Sequence, residues 1–197
     1  YIVVGAGSAG CVMANRLSAD PGKRVCLVEA GPPDKNPLIH IPFGLALLAR
    51  TKGINWGYVT APEPQLNHRR LYWPRGKTLG GSSSINAMLY VRGNRWDYDH
   101  WAALGNPGWS YDEVLPLFKR SEHNEEIKNE WHGQGGPLNV TYPRHASPID
   151  QMFLQAAQLN GIAANPDYNG EHQEGAFLYQ VTHRNGERCS AAKAYLS

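Results

Sequence analysis

The run Tyr1-Ile2-Val3-Val4-Gly5-Ala6-Gly7-Ser8-Ala9-Gly10 constrains this chain more than any other stretch. Four strand-forming residues lead straight into G-x-G-x-x-G, and a helix-like segment, Cys11 to Leu17, comes next. In that setting Gly5 permits the tight turn out of the strand. Gly7 leaves the backbone bare to an approaching phosphate, and Gly10 lets the helix lie close to the sheet. The helix N-terminus adds unpaired N–H groups and partial positive charge, so a dinucleotide pyrophosphate is the expected ligand.

The residues after this helix strengthen that expectation. Asp20-Pro21-Gly22-Lys23 is a turn, and Arg24-Val25-Cys26-Leu27-Val28-Glu29 reads as a second buried strand. Glu29 ends it, 19 residues after Gly10, where an acid would accept hydrogen bonds from ribose hydroxyls. A glycine-rich surface turn is the alternative, and it gives no reason for strand, helix, strand and acid to come in this order.

The chain has 197 residues, enough for one large domain or two small ones with a sizeable core. Nineteen Lys and Arg against 17 Asp and Glu argue against a nucleic-acid surface or an acidic partner. Six Trp and ten Tyr favour an enzyme or binding protein with large flat contact surfaces. Cys11, Cys26 and Cys189 have no C-x-x-C spacing. Cys11 and Cys26 are expected on the buried faces of the first helix and second strand, which fits a reducing compartment. No signal peptide is visible, and no stretch reaches the roughly 20 apolar residues of a membrane span. The longest apolar run, Ile41 to Ala49, is interrupted by Pro42 and Gly44. It is expected to pack on the core or a cofactor; a membrane-surface contact stays open because Arg50 and Lys52 lie just beyond it.

Along the chain, residues 1–31 form a βαβ start and Gly31-Pro32-Pro33-Asp34-Lys35-Asn36-Pro37 breaks it. Residues 38–74 read as irregular. Trp96 to Asn124 read as helices, with Ser110 and Glu113 fitting a capping box. Leu138-Asn139-Val140-Thr141 is strand-like. Residues 149–161 look like an amphipathic helix, with Ile149, Met152, Phe153, Ala156, Ala157 and Leu159 spaced for one face. Ser190 to Leu196 start another helix, too short to be stable alone. That end, and the small number of clear parallel strands, point to the N-terminal part of a longer protein.

A second motif, Arg75-Gly76-Lys77-Thr78-Leu79-Gly80-Gly81-Ser82-Ser83-Ser84-Ile85-Asn86-Ala87-Met88, chooses between cofactors. Adjacent glycines and three hydroxyls let the backbone come close to a flat, hydrogen-bonding ring, and an Asn amide could hold its edge. A nicotinamide dinucleotide domain needs no such loop here. With these residues the sequence resembles the glucose–methanol–choline (GMC) flavoprotein oxidoreductases over essentially its whole length. The resemblance continues through Tyr90-Val91-Arg92-Gly93, Asp97-Tyr98-Asp99, His132-Gly133, Gly136-Pro137-Leu138 and Arg188-Cys189-Ser190-Ala191-Ala192.

The resemblance implies an α/β fold: a Rossmann-like FAD-binding domain with the beginning of a substrate-binding domain, incomplete at the C-terminus. It divides the chain into an FAD-binding part at 1–110, the start of a substrate-binding or cap region at 111–185, and a return into the FAD domain at 186–197. By match to the family motifs, Gly5, Gly7, Ser8, Ala9 and Gly10 would hold the pyrophosphate, and Glu29, with Ala30 beside it, the adenosine ribose. Arg75, Thr78, Gly80, Gly81 and Ser82 would line the path to the flavin. Asn86, Ala87, Met88 and Leu89 would sit by the isoalloxazine. Some members attach FAD through a His just before the Asn; Ile85 stands there and has no nucleophile, so non-covalent FAD is expected.

The implied activity is oxidation of a primary alcohol to an aldehyde by hydride transfer to flavin N5, with electrons passed to a quinone or other acceptor. Choline dehydrogenase, an alcohol oxidase, an FAD-retaining hydroxynitrile lyase and a non-catalytic FAD-binding fragment are the alternatives. The family's catalytic His, and the His or Asn beside it, belong to a later signature not present in these residues. No catalytic residue is therefore assigned, and this segment alone is expected to be inactive. The implied partners are a small-molecule alcohol and an electron acceptor, in the cytoplasm, with contact to the inner membrane surface left open.

The eight histidines show no metal-ligand spacing and are read as surface or satisfied loop residues, with no metal site. Ser82, Ser83 and Ser84 lack a nucleophile elbow and are expected to act as hydrogen-bonding hydroxyls. Trp56 and Tyr58 are expected in the core, with stacking on adenine or cover for the flavin as the alternative. Arg69 and Arg70 read as a solvated turn; Arg75 and Lys77 could meet the FAD phosphates. Asp97 and Asp99 lie two apart, do not face each other, and read as helix N-terminal charges.

Overall fold

The opening strand β1 (Ile2–Val4) runs parallel to β2 (Cys26–Val28), with Ile2 opposite Cys26 and Val4 opposite Val28, in a computed structural model that describes residues 1–48 and 50–197. Helix α1 (Ser8–Ser18) connects them as a βαβ crossover, and its Cys11 and Ala14 are buried. The strands alternate, so Leu27 turns inward while Ile2, Val4, Cys26 and Val28 turn to the opposite, exposed face. This corrects the expectation for Cys26. A parallel strand is buried on both faces only when both carry covering layers, and α1 lies on one face.

Residues 38–74, expected to be irregular, contain short regular pieces: α2 (Pro37–His40), α3 (Leu45–Leu48), and an antiparallel pair, β3 (Tyr58–Val59) and β4 (Tyr72–Trp73). The apolar run behaves in two ways. Leu48 is fully buried with Ile39, Ile54 and Ile85, whereas Phe43 is 83% exposed. Ala49, the last residue of that run, lies outside the described residues.

Residues 89–185 form a separate compact unit. It holds α4 (Arg95–Ala103), α5 (Tyr111–Ser121), the parallel strands β5 (Glu122–Asn124) and β6 (Leu138–Val140), α6 (Pro148–Leu159) and β7 (His183–Arg184). The capping box forms: Ser110 N–H donates to Glu113 Oε2 at 3.1 Å. The helical reading through Asn124 is corrected at its end, where Glu122–Asn124 pair with Leu138–Val140 instead. Asp97 lies in the first turn of α4, and the Asp99 carboxylate accepts from Tyr111 N at 2.9 Å, so Asp99 is a helix N-terminal charge for α5 and not for its own helix. Helix α6 forms as its spacing predicts, yet Ile149, Met152, Phe153 and Leu159 are exposed.

The chain then returns, through β8 (Glu187–Arg188) and α7 (Ala191–Tyr195), to the unit of residues 1–88. Ala191, Ala192 and Tyr195 pack with Ala6 and Cys11, and Asn15 Nδ2 donates to the Tyr195 carbonyl at 2.8 Å. The last helix thus completes the core beneath the first one.

The centre of the second unit is polar. Arg92 Nη2 lies 2.6 Å from Glu122 Oε2, and both side chains are buried. His132 sits between carboxylates, with Nδ1 2.8 Å from Glu122 Oε1 and Nε2 2.9 Å from Asp167 Oδ1. Asn124 Nδ2 donates to Glu122 and to Gln180. Burial alone would depress the imidazolium, but the bonds to Asp167 and Glu122 outweigh it and raise its pKa from 6.5 to about 9. Burial likewise opposes ionisation of Glu122 and Asp167, and hydrogen bonds and cationic neighbours hold both below the usual carboxylate range. The expected reading of His132 as a satisfied loop residue holds, although it is buried.

These shifts fix a pH window. Because the folded pKa of His132 exceeds its unfolded value, its stabilisation is full below pH 6.5 and is lost as pH rises through about 9. The two carboxylates contribute fully above their ordinary values of 4.5 and 3.8, and lose that contribution as pH falls through their depressed folded pKa values. Unfolding of the second unit should therefore be most resistant between about pH 5 and 6.5. His132→Gln should cost about 3 kcal/mol at pH 6.5 and flatten the decline toward pH 9, as tracked by denaturant titration at each pH.

Candidate functional site

The mouth of β1 opens on a cavity of about 580 Å³ in the first unit. Its lining draws on three stretches: Val4, Gly5, Gly7 and Ser8; Val28, Glu29 and Ala30; and Trp56 with Arg75, Gly76, Gly81 and Ser82. The two glycine motifs, some 70 residues apart, thus face one space, with the strand-ending acid between them.

Backbone contact joins the motifs. Gly80 N–H donates to the Ala6 carbonyl at 2.7 Å, and a Cβ on Gly81 would stand 2.7 Å from Gly7 Cα. Gly81 also has φ +55. Gly10 packs on the turn before it, where a Cβ would meet the Gly5 carbonyl oxygen at 1.8 Å. Gly7 is different. Its φ is −75, ordinary for any residue, and a Cβ there would meet nothing within 4 Å. Neither strain nor packing within the chain requires glycine at position 7; a side chain there would project into open space over the start of α1, whose first N–H groups have no intrahelical partner.

Glu29 is tied to the loop before it and the turn after it. Its carboxylate accepts from Ala6 N at 2.8 Å and from Gly31 N at 2.9 Å. Two carboxylate oxygens offer about four acceptor sites, so capacity for hydroxyl donors remains. Trp56 and Tyr58 are not core residues, which corrects that expectation. They stack on one another with centroids 5.9 Å apart, both are substantially exposed, and Lys77 Nζ lies 4.6 Å from the Trp56 ring centroid.

Of the residues expected at the cofactor, Gly5, Gly7, Ser8, Glu29, Ala30, Arg75, Gly81 and Ser82 line this cavity. Ala9, Gly10, Thr78, Gly80, Asn86, Ala87, Met88 and Leu89 do not. Thr78 is fully buried and its hydroxyl donates to the Pro32 carbonyl at 2.8 Å. Asn86 and Ala87 are exposed, Met88 is buried, and Leu89 begins the second unit. Ser83 and Ser84 use their hydroxyls on the carbonyls of Gly80 and Leu79, each at 2.6 Å, which leaves neither poised as a nucleophile. Among the described residues no group of His, Cys, Asp and Glu could hold a metal ion.

Sequence reasoning quoted Arg188 in the family resemblance but missed its buried role. It sits in the polar stretch Asn185-Gly186-Glu187-Arg188, which reads as a surface turn, yet it is the largest fully buried side chain among the described residues. Its place as the first residue of the Arg188-Cys189-Ser190-Ala191-Ala192 run was the one signal for it, and that run assigned it no role.

A parallel βαβ start, a bare glycine facing a cavity, and a second glycine loop packed on the first define a dinucleotide-binding protein of the flavoprotein type. The GMC oxidoreductase family model matches residues 1–197, and the chain belongs to that family, whose members are FAD flavoproteins. It is 55% identical over 197 residues to an alcohol dehydrogenase [acceptor] of Pseudomonas putida, and 46% identical over 196 residues to an oxygen-dependent choline dehydrogenase of Rhizobium etli. Either match takes in 100% of this chain and 36% of the relative. Among solved structures, pyridoxine 4-oxidase from Mesorbium loti superposes with a TM-score of 0.90 at 34% identity, covering 100% of this chain and 39% of that one. A formate oxidase of Aspergillus oryzae gives 0.89 at 26% identity, covering 100% and 36%.

The residues present fit such a cofactor. The open space above Gly7 is the cradle a side chain would fill, and the cavity volume lies within the range of small-molecule sites. The glycines should separate by substitution. Gly10→Ala and Gly81→Ala should each lower unfolding free energy by about 1–3 kcal/mol, because backbone must move. Gly7→Ala should cost under about 1 kcal/mol. Thermal melts of the flavin-free protein check this ordering.

Proposed function

We propose that this chain supplies the FAD-binding part of an FAD-dependent alcohol dehydrogenase that oxidises a primary alcohol to an aldehyde. The observation that carries the proposal is the bare backbone at Gly7, facing a cavity shared with Glu29 and the Gly76–Ser82 loop. Gly5, Gly7, Ser8, Ala9 and Gly10 hold the pyrophosphate through backbone N–H groups and the start of α1. Glu29, with Ala30 beside it, takes the adenosine ribose through the acceptor capacity its two backbone bonds leave free. Arg75, Thr78, Gly80, Gly81 and Ser82 form the path to the flavin, with Thr78 and Gly80 acting through the buried loop they shape. Asn86, Ala87, Met88 and Leu89 lie by the ring. The exposed Trp56–Tyr58 stack favours the alternative of aromatic cover over a flat ligand.

Bound FAD would supply the hydride acceptor at N5 for the hydrogen on the alcohol's α-carbon, while a base outside these residues would take the hydroxyl proton, giving the aldehyde. Position and electrostatics are the contribution of these residues. The ranges 1–110, 111–185 and 186–197 divide into FAD-binding part, start of the substrate-binding region, and return to the FAD part. An apolar cavity of about 540 Å³ in the second unit, lined by Ile149, Phe153, Leu154 and Phe177 among others, supports a substrate-binding role for residues 111–185. A quinone or similar acceptor takes the electrons onward. No helix among the described residues is long and apolar enough to cross a membrane. A cytoplasmic site with peripheral contact to the inner membrane fits exposed Phe43 and Leu47 ahead of Arg50 and Lys52.

The test uses the whole enzyme. Gly7→Val should lower flavin occupancy on the order of tenfold or more, a loss of at least ~1.4 kcal/mol in binding, measured as visible flavin absorbance per protein. Unchanged occupancy would sink the proposal. An alcohol should bleach the bound flavin without oxygen; no bleaching with any alcohol would instead favour a lyase. Because Ile85 offers no nucleophile, acid precipitation of the enzyme should release the flavin into the supernatant.

A further inference from the structure

Among the described residues Arg188 has no acidic partner. It is 1% exposed, and its hydrogen bonds to the described residues go to neutral oxygens. Nε donates to the Ile39 carbonyl at 2.8 Å. Nη1 donates to the carbonyls of Ser83 at 3.2 Å and Asn86 at 2.8 Å, and to Asn86 Oδ1 at 2.8 Å. Nη2 is buried without a partner among the described residues. Burial pulls the guanidinium down from 12.5 to about 10, so it remains charged at neutral pH. An uncompensated buried cation is costly, and a well-packed apolar side chain of similar volume would serve the core as well or better.

The bonds at Asn86 suggest what the charge does. Oδ1 accepts from Arg188 Nη1 and also from the Met88 backbone N–H at 3.0 Å. Both neighbours can only donate. The amide therefore cannot be reversed, since that would set NH2 against two donors. Its oxygen is held inward, and its NH2 end must face away, on a residue that is exposed. Met88 next to it is buried and has φ +62, a left-handed conformation unusual for a side chain of its size. Strain of this kind persists where the surroundings over-determine it, and here the Asn86 turn stands directly beside it.

We propose that Arg188 is a positioning residue. It fixes the Asn86 amide so that its NH2 group is presented outward as a hydrogen-bond donor, and it sets a buried positive charge behind the loop of residues 83–88. The inference rests on the proposed function, in which that loop lies by the flavin. A fixed donor and a positive charge there both favour the electron-rich, reduced ring over the oxidised one. Removing them should lower the bound flavin's midpoint potential.

The experiment uses the full-length enzyme and two readouts. Arg188→Met keeps volume and removes charge and donors. It should fold, speed hydrogen exchange at the Met88 amide about tenfold, as expected when one charge-assisted hydrogen bond no longer steadies the turn, and lower the midpoint potential measured by dye equilibration. Arg188→Lys keeps the charge without the fork. It should speed Met88 exchange similarly while holding the potential close to that of the native enzyme. If Arg188→Met fails to fold, the lysine variant decides, and native-like exchange in it overturns the positioning role. Exchange and potential both unchanged in Arg188→Met overturn the proposal as a whole. Exchange altered with potential unchanged overturns the electrostatic part. A native enzyme that carries no flavin would instead defeat the proposed function, with the exchange measurement still deciding whether Arg188 locks Asn86.

Discussion

The hydrogen bond from Gly80 to the Ala6 carbonyl, with Gly81 pressed on Gly7, is the contact on which the candidate site depends. It sets two loops backbone to backbone, a distance only glycine allows. Without it, the strand-to-helix turn would still be a helix N-terminus, and the serine-rich loop a polar turn. Together they enclose one space. The same contact explains why the glycines differ in kind. Gly10 and Gly81 are crowded by protein atoms, whereas Gly7 borders open space that a side chain would enter.

The two buried polar centres adopt opposite strategies. Arg92, Glu122, His132 and Asp167 alternate in sign, so each charge is offset by the next, and the residues rigidify the second unit. Among the described residues Arg188 bonds to carbonyl oxygens and to no carboxylate, so its charge is solvated but not cancelled there. The first arrangement suits structural support. The second leaves a residual field, which stability alone gives no reason to keep.

Several local elements were legible because local chemistry determines them. The βαβ start, the Ser110–Glu113 box, the Ser190-capped last helix and helix α6 arise from spacing and capping residues. Other expectations failed where burial depends on partners far along the chain. Cys26 has the composition of a buried strand residue, but none of the described residues covers its side of the sheet. Trp56 and Tyr58 have apolar bodies that suit a core, yet they stack on each other at the surface beside Lys77. Arg188 looks like a turn residue and lies at the centre of a packed loop.

From its sequence alone this chain determined its phosphate-type turn, its acid at the end of the second strand, and its flavoprotein family, since these depend on residues adjacent or at fixed short offsets. Tertiary structure alone decided that the two glycine motifs share a cavity, that Asn86 is oriented by a residue 102 positions away, and that α7 closes the core under α1. Those outcomes depend on which backbone segments approach within hydrogen-bond distance, and such approach is set by the packing of the whole unit, not by the order of residues within any one segment.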